Sequence, residues 1–256
     1  MALPSRTVCQ VPDTSLHPRI NPMHEAQHYL PVLDTGRWFA QLPSDFAQAL
    51  LRMARVRQLA SGEVLFLRDS PPCGLYAVVS GSIRISGQSG RGDDAREALL
   101  VVLPPPQWFG EITVFDGATR THHAHAAEPS TLLQVPQAEL RAWLHEHPQH
   151  WRDLAVLMAD KLRLAFQTME EQTVLSAPLR LARRLVAMAE GYGAQGGKSG
   201  TRRVLAVTQQ ELALMIGVSR QTTNEILKGL EAQGVLRVQR GGMEIMDLAG
   251  LRAMSQ

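Results

Sequence analysis

Thr208-Gln-Gln-Glu-Leu-Ala-Leu-Met-Ile-Gly-Val-Ser-Arg-Gln-Thr-Thr-Asn-Glu-Ile-Leu-Lys-Gly-Leu-Glu231 decides the fold of the C-terminal part of this chain. Thr208 and Glu211 have the spacing of a capping box, in which each side chain satisfies an amide at the other's position, so a helix starts here. Gly217 stops it, and Ser219 caps a second helix that should run to about Ala232. So short a turn forces the two helices to cross steeply, as in a helix-turn-helix. Ala213 is small where they would touch, and Leu212, Ile216, Val218, Thr223 and Ile226 fall on the facing sides. Arg220, Gln221, Asn224, Glu225 and Lys228 are left on the opposite face, towards the end of the second helix that enters a major groove in such motifs. Arg can fork onto guanine, Gln or Asn onto adenine, and Glu can accept from the cytosine amino group. Thr208, Gln209, Ser219 and Thr223, near the helix starts, complete the candidate contacts on the two helices.

Downstream, Val235 to Met246 with Gly241-Gly242 reads as a two-stranded hairpin, a wing whose Arg237 and Arg240 could meet phosphates. Charge agrees with a polyanion partner. Residues 177–256 hold 11 Lys or Arg against 6 Asp or Glu, although the whole chain carries only +2.

Upstream, residues 1–35 contain Pro4, Pro12, Pro18, Pro22 and Pro31 without sustained periodicity, which predicts a poorly ordered leader. An apolar helical pattern covers Trp38 to Arg55. Short β-like runs follow at Val64–Leu67, Leu75–Val79, Ser82–Ser86, Leu99–Leu103 and Thr131–Val135, punctuated by Gly and Pro, as in a β-sandwich or roll. Trp151 to Leu175 then forms a helix free of Gly and Pro, over about 35 Å long at 1.5 Å per residue. That length favours a dimer seam over a helix lying on one small domain. Pro178 ends it, and a helix over Leu179–Glu190 leads into the glycine-rich turn Gly191–Gly200. The expected organisation is α+β: a leader over 1–35, a β-sandwich or roll over 36–148, to which the resemblance described below gives a sensor role, a dimerisation helix over 149–176 and a winged helix-turn-helix over 177–256.

Composition fits two folded units: 256 residues, 45% hydrophobic and 20% charged. The longest apolar run, Ala98 to Leu103, is far below the roughly 20 residues of a membrane span, and no export signature precedes it, so a cytoplasmic, membrane-free location is expected. Cys9 and Cys73 have no metal-ligand or redox-motif spacing, which argues against an iron–sulfur sensor. No nucleophile–base pair or glycine-rich phosphate loop before a helix marks an enzyme.

Over nearly its whole length after residue 36 the chain resembles the Crp/Fnr family of dimeric bacterial regulators. Gly217-Val-Ser-Arg-Gln-Thr with Ile226-Leu-Lys-Gly-Leu-Glu is similar to the family's recognition helix. Leu75-Tyr-Ala-Val-Val-Ser-Gly-Ser-Ile-Arg-Ile-Ser resembles its β-roll hairpin, and Phe109-Gly-Glu-Ile with Arg120-Thr121 its phosphate-binding cassette. The resemblance implies a cyclic-nucleotide-binding type of β-roll, a homodimer through the long helix, a winged helix-turn-helix on palindromic double-stranded DNA, and RNA polymerase as a partner. It also puts Arg220, Gln221 and Glu225 at base-reading positions. The family's best-known members carry Arg where Glu225 stands and often Glu where Gln221 stands, so a different operator is expected.

Phe109, Gly110, Glu111, Ile112, Arg120 and Thr121 are the candidate effector site. Glycine at 110 admits a ligand closely, Glu111 could accept a ribose hydroxyl, and Arg120 could pair with a phosphate. His122 and His123 stand where the family has small or apolar residues, and Ala165 and Phe166 where its cAMP-responsive members have hydroxyls. A cyclic nucleotide, a classical cAMP response and a structural relic therefore all stay open. No certain cofactor and no metal site are expected, and His122, His123, His125, His145, His147 and His150 read as surface or partly buried side chains. Another class of reading, a cyclic-nucleotide-responsive regulatory subunit acting on a protein partner, rests on the cassette alone.

Overall fold

The computed structural model describes residues 22–89, 96–193 and 204–255. Its contacts divide into two units, one of residues up to 87 with 102–158 and the other of 88–101 with 159–256. The fold is α+β. In chain order the first unit contains α1 (Pro22–Gln27), α2 (Leu30–Leu33), α3 (Arg37–Ala40), α4 (Ser44–Met53), β1 (Arg55–Leu59), β2 (Val64–Phe66) and β3 (Gly74–Ser80). It continues through β4 (Ile83–Ser89), β5 (Arg96–Leu103), β6 (Trp108–Phe109), α5 (Ile112–Asp116), β7 (His123–Ala126), β8 (Ser130–Pro136) and α6 (Gln137–Glu146) into α7 (Trp151–Val174). The end of β4, most of β5 and the later part of α7 fall in the second unit.

Two four-stranded sheets build the first unit, in the orders β1-β8-β3-β6 and β2-β7-β4-β5. The unbroken apolar run of β3 follows from its place inside a sheet covered on both faces. Leu75, Ala77 and Val79 join Leu133 and Val135 of β8 in a core with Phe46, Leu50, Leu140, Leu144 and Leu154 from the helices. On the other face, the Tyr76 ring lies 5.9 Å from Phe66 of the second sheet and 5.4 Å from Phe109. β7 is covered on one face only, and it alternates: Ala124 and Ala126 are fully buried, His123 and His125 half-buried.

The stretch read as a poorly ordered leader differs from residue 22 onward: α1 and α2 bury Ala26 and Leu33 in the core. Pro22 and Pro31 lie in the first turns of these helices, where a missing N–H costs nothing, so they start structure rather than prevent it. Residues 1–21 lie outside the described residues. The single helix expected over Trp38–Arg55 is two, α3 and α4, interrupted before Pro43, because the residue preceding a proline is driven out of the α region.

The second unit holds the later part of α7, then α8 (Ala177–Ala189), β9 (Val204–Leu205), α9 (Gln209–Ile216), α10 (Arg220–Ala232), β10 (Leu236–Gln239), β11 (Gly242–Ile245) and α11 (Leu248–Ala253). Pro178 sits in the first turn of α8, after Ser176 at its N-cap. β10, β11 and β9 form a small antiparallel sheet in that order. Of the expected turn after α8, residues 194–200 lie outside the described residues.

Candidate nucleic-acid interface and effector cassette

The capping box forms as the spacing requires: the Glu211 amide donates to Thr208 Oγ1 at 3.2 Å, and the Thr208 amide to Glu211 Oε2 at 2.7 Å. Gly217 closes α9 in the left-handed region, and Ser219 Oγ accepts from the Thr222 amide at 3.0 Å to open α10. Leu212, Ala213 and Ile216 are buried at the crossing, with Leu227 and Leu230 from α10. Thr223, counted among the DNA contacts, is instead completely buried and donates its hydroxyl to the Ser219 carbonyl at 3.1 Å. Its position four residues after the cap turns it inward, so it belongs to the packing and not to the reading face. Thr208 and Ser219 likewise spend their hydroxyls on capping.

Arg220, Gln221, Glu225 and Lys228 are exposed on α10. Gln221 Nε2 donates to Glu225 Oε1 at 3.1 Å, one turn along, and Gln209 Nε2 from α9 donates to Asn224 Oδ1 at 3.3 Å. Arg220 and Lys228 make no hydrogen bond or ion pair among the described residues, which leaves two cations on this face for an external anion. In the wing, Arg237 faces Glu244 across the β10–β11 ladder at 3.8 Å, and Arg240 is exposed at the turn. Glu231 of α10 accepts from the Val238 amide at 2.9 Å, tying the wing to the helix. Gly242 permits β9 to approach: a Cβ there would lie 2.5 Å from the Leu205 carbonyl.

In the cassette, Phe109 ends β6, Gly110 has φ +96°, and Glu111 is buried immediately before α5. Ile112 and Thr121 are exposed. Arg120 is only 3% exposed. Its Nη1 donates to the Gly110 carbonyl at 3.2 Å and its Nη2 to the Gly74 carbonyl at 2.6 Å, while the guanidinium lies 4.3 Å over the Phe66 ring. Gly110 must lack a side chain, because a Cβ would come within 2.8 Å of the Gly74 carbonyl and 2.9 Å of Arg120 Nη1. Arg120 Nε is buried with no hydrogen-bond partner, so a donor remains for an anionic group. The donor set suits a phosphate, which would exchange with the two carbonyls.

Around the cassette, His123 Nδ1 accepts from the Arg68 amide at 3.2 Å. His122 is held below the ordinary histidine value, first by burial and then by the positive charges of Arg68 and His123. The described residues contain no group of three or more His, Cys, Asp or Glu side chains arranged to hold a metal ion.

Two arrangements carry no signal in the sequence. His150, read as a surface or partly buried histidine, is buried between Asp153, 2.7 Å from Nδ1, and Asp45, 3.0 Å from Nε2, with its ring against Phe46 and Trp143. Cys73 lies within 3.3 Å of Arg120 Nη2, although 47 positions separate them.

Comparison with known proteins gives two family matches: the cyclic nucleotide-binding domain over residues 56–147 and the Crp-like helix-turn-helix domain over residues 179–254. The CRP-like cAMP-activated global transcriptional regulator of Mycobacterium tuberculosis is 30% identical over 206 residues, 80% of this chain and 89% of that protein. The cyclic AMP receptor protein of Thermus thermophilus is 27% identical, over 78% of this chain and 87% of its own length. Among solved structures, FixK2 from Bradyrhizobium japonicum shares the fold with a TM-score of 0.67 at 19% identity, over 79% of this chain and 98% of that one. No helix among the described residues is long and apolar enough to cross a membrane.

Proposed function

The chain belongs to the Crp/Fnr family of DNA-binding transcriptional regulators, and we propose that it acts as a cytoplasmic homodimer on a palindromic operator, gated by a cyclic nucleotide in the first unit. The observation that carries the DNA-reading part is the self-capped pair α9–α10, which holds Arg220, Gln221, Glu225 and Lys228 exposed on one face while Leu212, Ala213, Ile216, Leu227 and Leu230 are buried and Val218 and Ile226 half-buried at the crossing. Arg220 and Gln221 read base edges, Lys228 and the wing arginines Arg237 and Arg240 meet phosphates, and Glu225 selects a cytosine amino group or excludes other bases. The Gln221–Glu225 hydrogen bond fixes the two side chains relative to each other before DNA arrives.

The dimer reading is supported by α7. Leu162, Phe166 and Met169, spaced by four and three, are 52%, 60% and 64% exposed, an apolar stripe that a second copy would cover. Two subunits then present their α10 helices to half-sites about one helical turn, roughly 34–36 Å, apart. Arg120, with its unsatisfied Nε, is the group that would take the nucleotide phosphate, and Glu111 the ribose. DNA-bound, the dimer would recruit RNA polymerase.

The test is selection from a random DNA pool at fixed salt, with and without cAMP, followed by sequencing. Recovery of a palindrome only with the nucleotide is the expected result, and recovery of asymmetric or unenriched sequence in both conditions overturns the reading. Arg220→Ala should weaken the selected site by about 1–3 kcal/mol while sparing nonspecific binding.

A further inference from the structure

Arg120 is a buried cation with no carboxylate paired to it among the described residues. Two carbonyls and an aromatic face solvate it, yet neither supplies the negative charge that normally compensates a buried guanidinium. The remaining group at its Nη2 is Cys73 Sγ, at 3.3 Å. Tyr76 donates its hydroxyl to the same sulfur from 3.1 Å. The sulfur therefore receives two donors, one of them charged, and both favour thiolate over thiol. Cys73 is half-buried, so a small reagent can reach it.

We propose that Cys73 is held as a thiolate by Arg120 and Tyr76 and is a site of oxidation by small peroxides, a function beyond nucleotide binding and DNA reading. The thiolate sulfur attacks one oxygen of hydrogen peroxide. An S–O bond forms, the O–O bond breaks, and hydroxide leaves. The cysteine becomes a sulfenic acid while the peroxide is reduced by two electrons. The product no longer carries the thiolate charge, so Arg120 loses its anionic partner, and its hold on the Gly74 and Gly110 carbonyls is altered from within the cassette. Oxidation and the cassette are linked through one side chain.

The experiment uses the full chain with Cys9→Ser, which leaves residue 73 as the single thiol. The rate of alkylation by iodoacetamide, read from intact mass, is measured against pH beside glutathione. Its midpoint is expected at least about one pH unit below that of an ordinary thiol near 8.5. Arg120→Gln should move the midpoint back up. Tyr76→Phe, which keeps the ring and loses only the hydroxyl, should move it part of the way and keeps the test decisive where the arginine variant does not fold. After hydrogen peroxide, dimedone should trap a sulfenic acid at residue 73. A midpoint matching glutathione, a wild-type curve unmoved by Tyr76→Phe, or absence of the dimedone adduct overturns the proposal.

Discussion

Replacing His150 by leucine removes a side chain that joins α4 to the start of α7 through two carboxylates. The imidazole is almost wholly buried and touches Asp153 at 2.7 Å and Asp45 at 3.0 Å. Asp153 is 27% exposed, so its bond to the ring forms largely out of water, and a hydrogen bond to a charged group in that setting is worth about 1.5–3 kcal/mol. Asp45 is 58% exposed, and solvent screening leaves its bond a small share. Leucine keeps much of the contact with Phe46 and Trp143, so packing loss adds little. The expected outcome is a fall in stability of about 2 kcal/mol for the first unit. Urea unfolding followed by tryptophan fluorescence reads it, since Trp143 lies 5.1 Å from the His150 ring. A loss below about 0.5 kcal/mol would refute the reasoning, because that is the range of ordinary surface substitutions. The same clamp has a pH signature. Burial raises the Asp45 pKa, but hydrogen bonds from His150 and the Phe46 amide outweigh it and hold the carboxyl below the 3.8 of a free aspartate. A depressed carboxyl contributes stability that is present above the unfolded value and lost as pH falls through the folded one, so this contribution fades only on the acid side of 3.8.

His122 should titrate below the 6.5 of a free histidine, and Arg68→Ala should raise its midpoint; proton NMR of the ring checks both. Because its folded pKa is depressed, His122 disfavours the native state as pH falls from 6.5 through the folded value, and His122→Gln should remove that part of the acid destabilisation in a thermal melt. Gly242→Ala forces a Cβ to within 2.5 Å of the Leu205 carbonyl, and a loss of about 1–3 kcal/mol with a displaced wing is expected in calorimetry and hydrogen exchange. Phe166→Glu puts a charge into the exposed stripe of α7, and sedimentation should show the protomer where the wild type shows a dimer.

The helix-turn-helix was legible because its determinants are local. Thr208, Glu211, Gly217 and Ser219 lie within twelve residues and each acts on a neighbouring amide or carbonyl. β2, β3, β4, β5 and β8 were found from their apolar runs. β1 and β6 were not, since Arg-Val-Arg-Gln-Leu has little apolar pattern and a two-residue strand has no period at all. Thr223 was read both as a packing residue from the helix period and as a DNA contact from its polar type, and its buried hydroxyl bears out the first and not the second. In the cassette the motif residues were visible, but Arg120's contact with Gly74 spans 46 positions, and His150's with Asp45 spans 105. Such pairings are made by sheet order and helix packing, and a single sequence carries no trace of them.

α9 and α10 settle their own boundaries through Thr208 with Glu211, Gly217 and Ser219, and Arg220, Gln221, Glu225 and Lys228 take no part in those caps. Among the described residues Arg220 and Lys228 contribute to no cap and no core, and Gln221 and Glu225 bond to each other across one turn. Selection on binding preference and selection on folding therefore act on separate letters of the same short text. Exchange among the exposed four leaves the caps and the crossing intact, whereas a change at Thr208, Gly217, Ser219 or Thr223 removes a cap or a buried contact before it can touch any DNA contact.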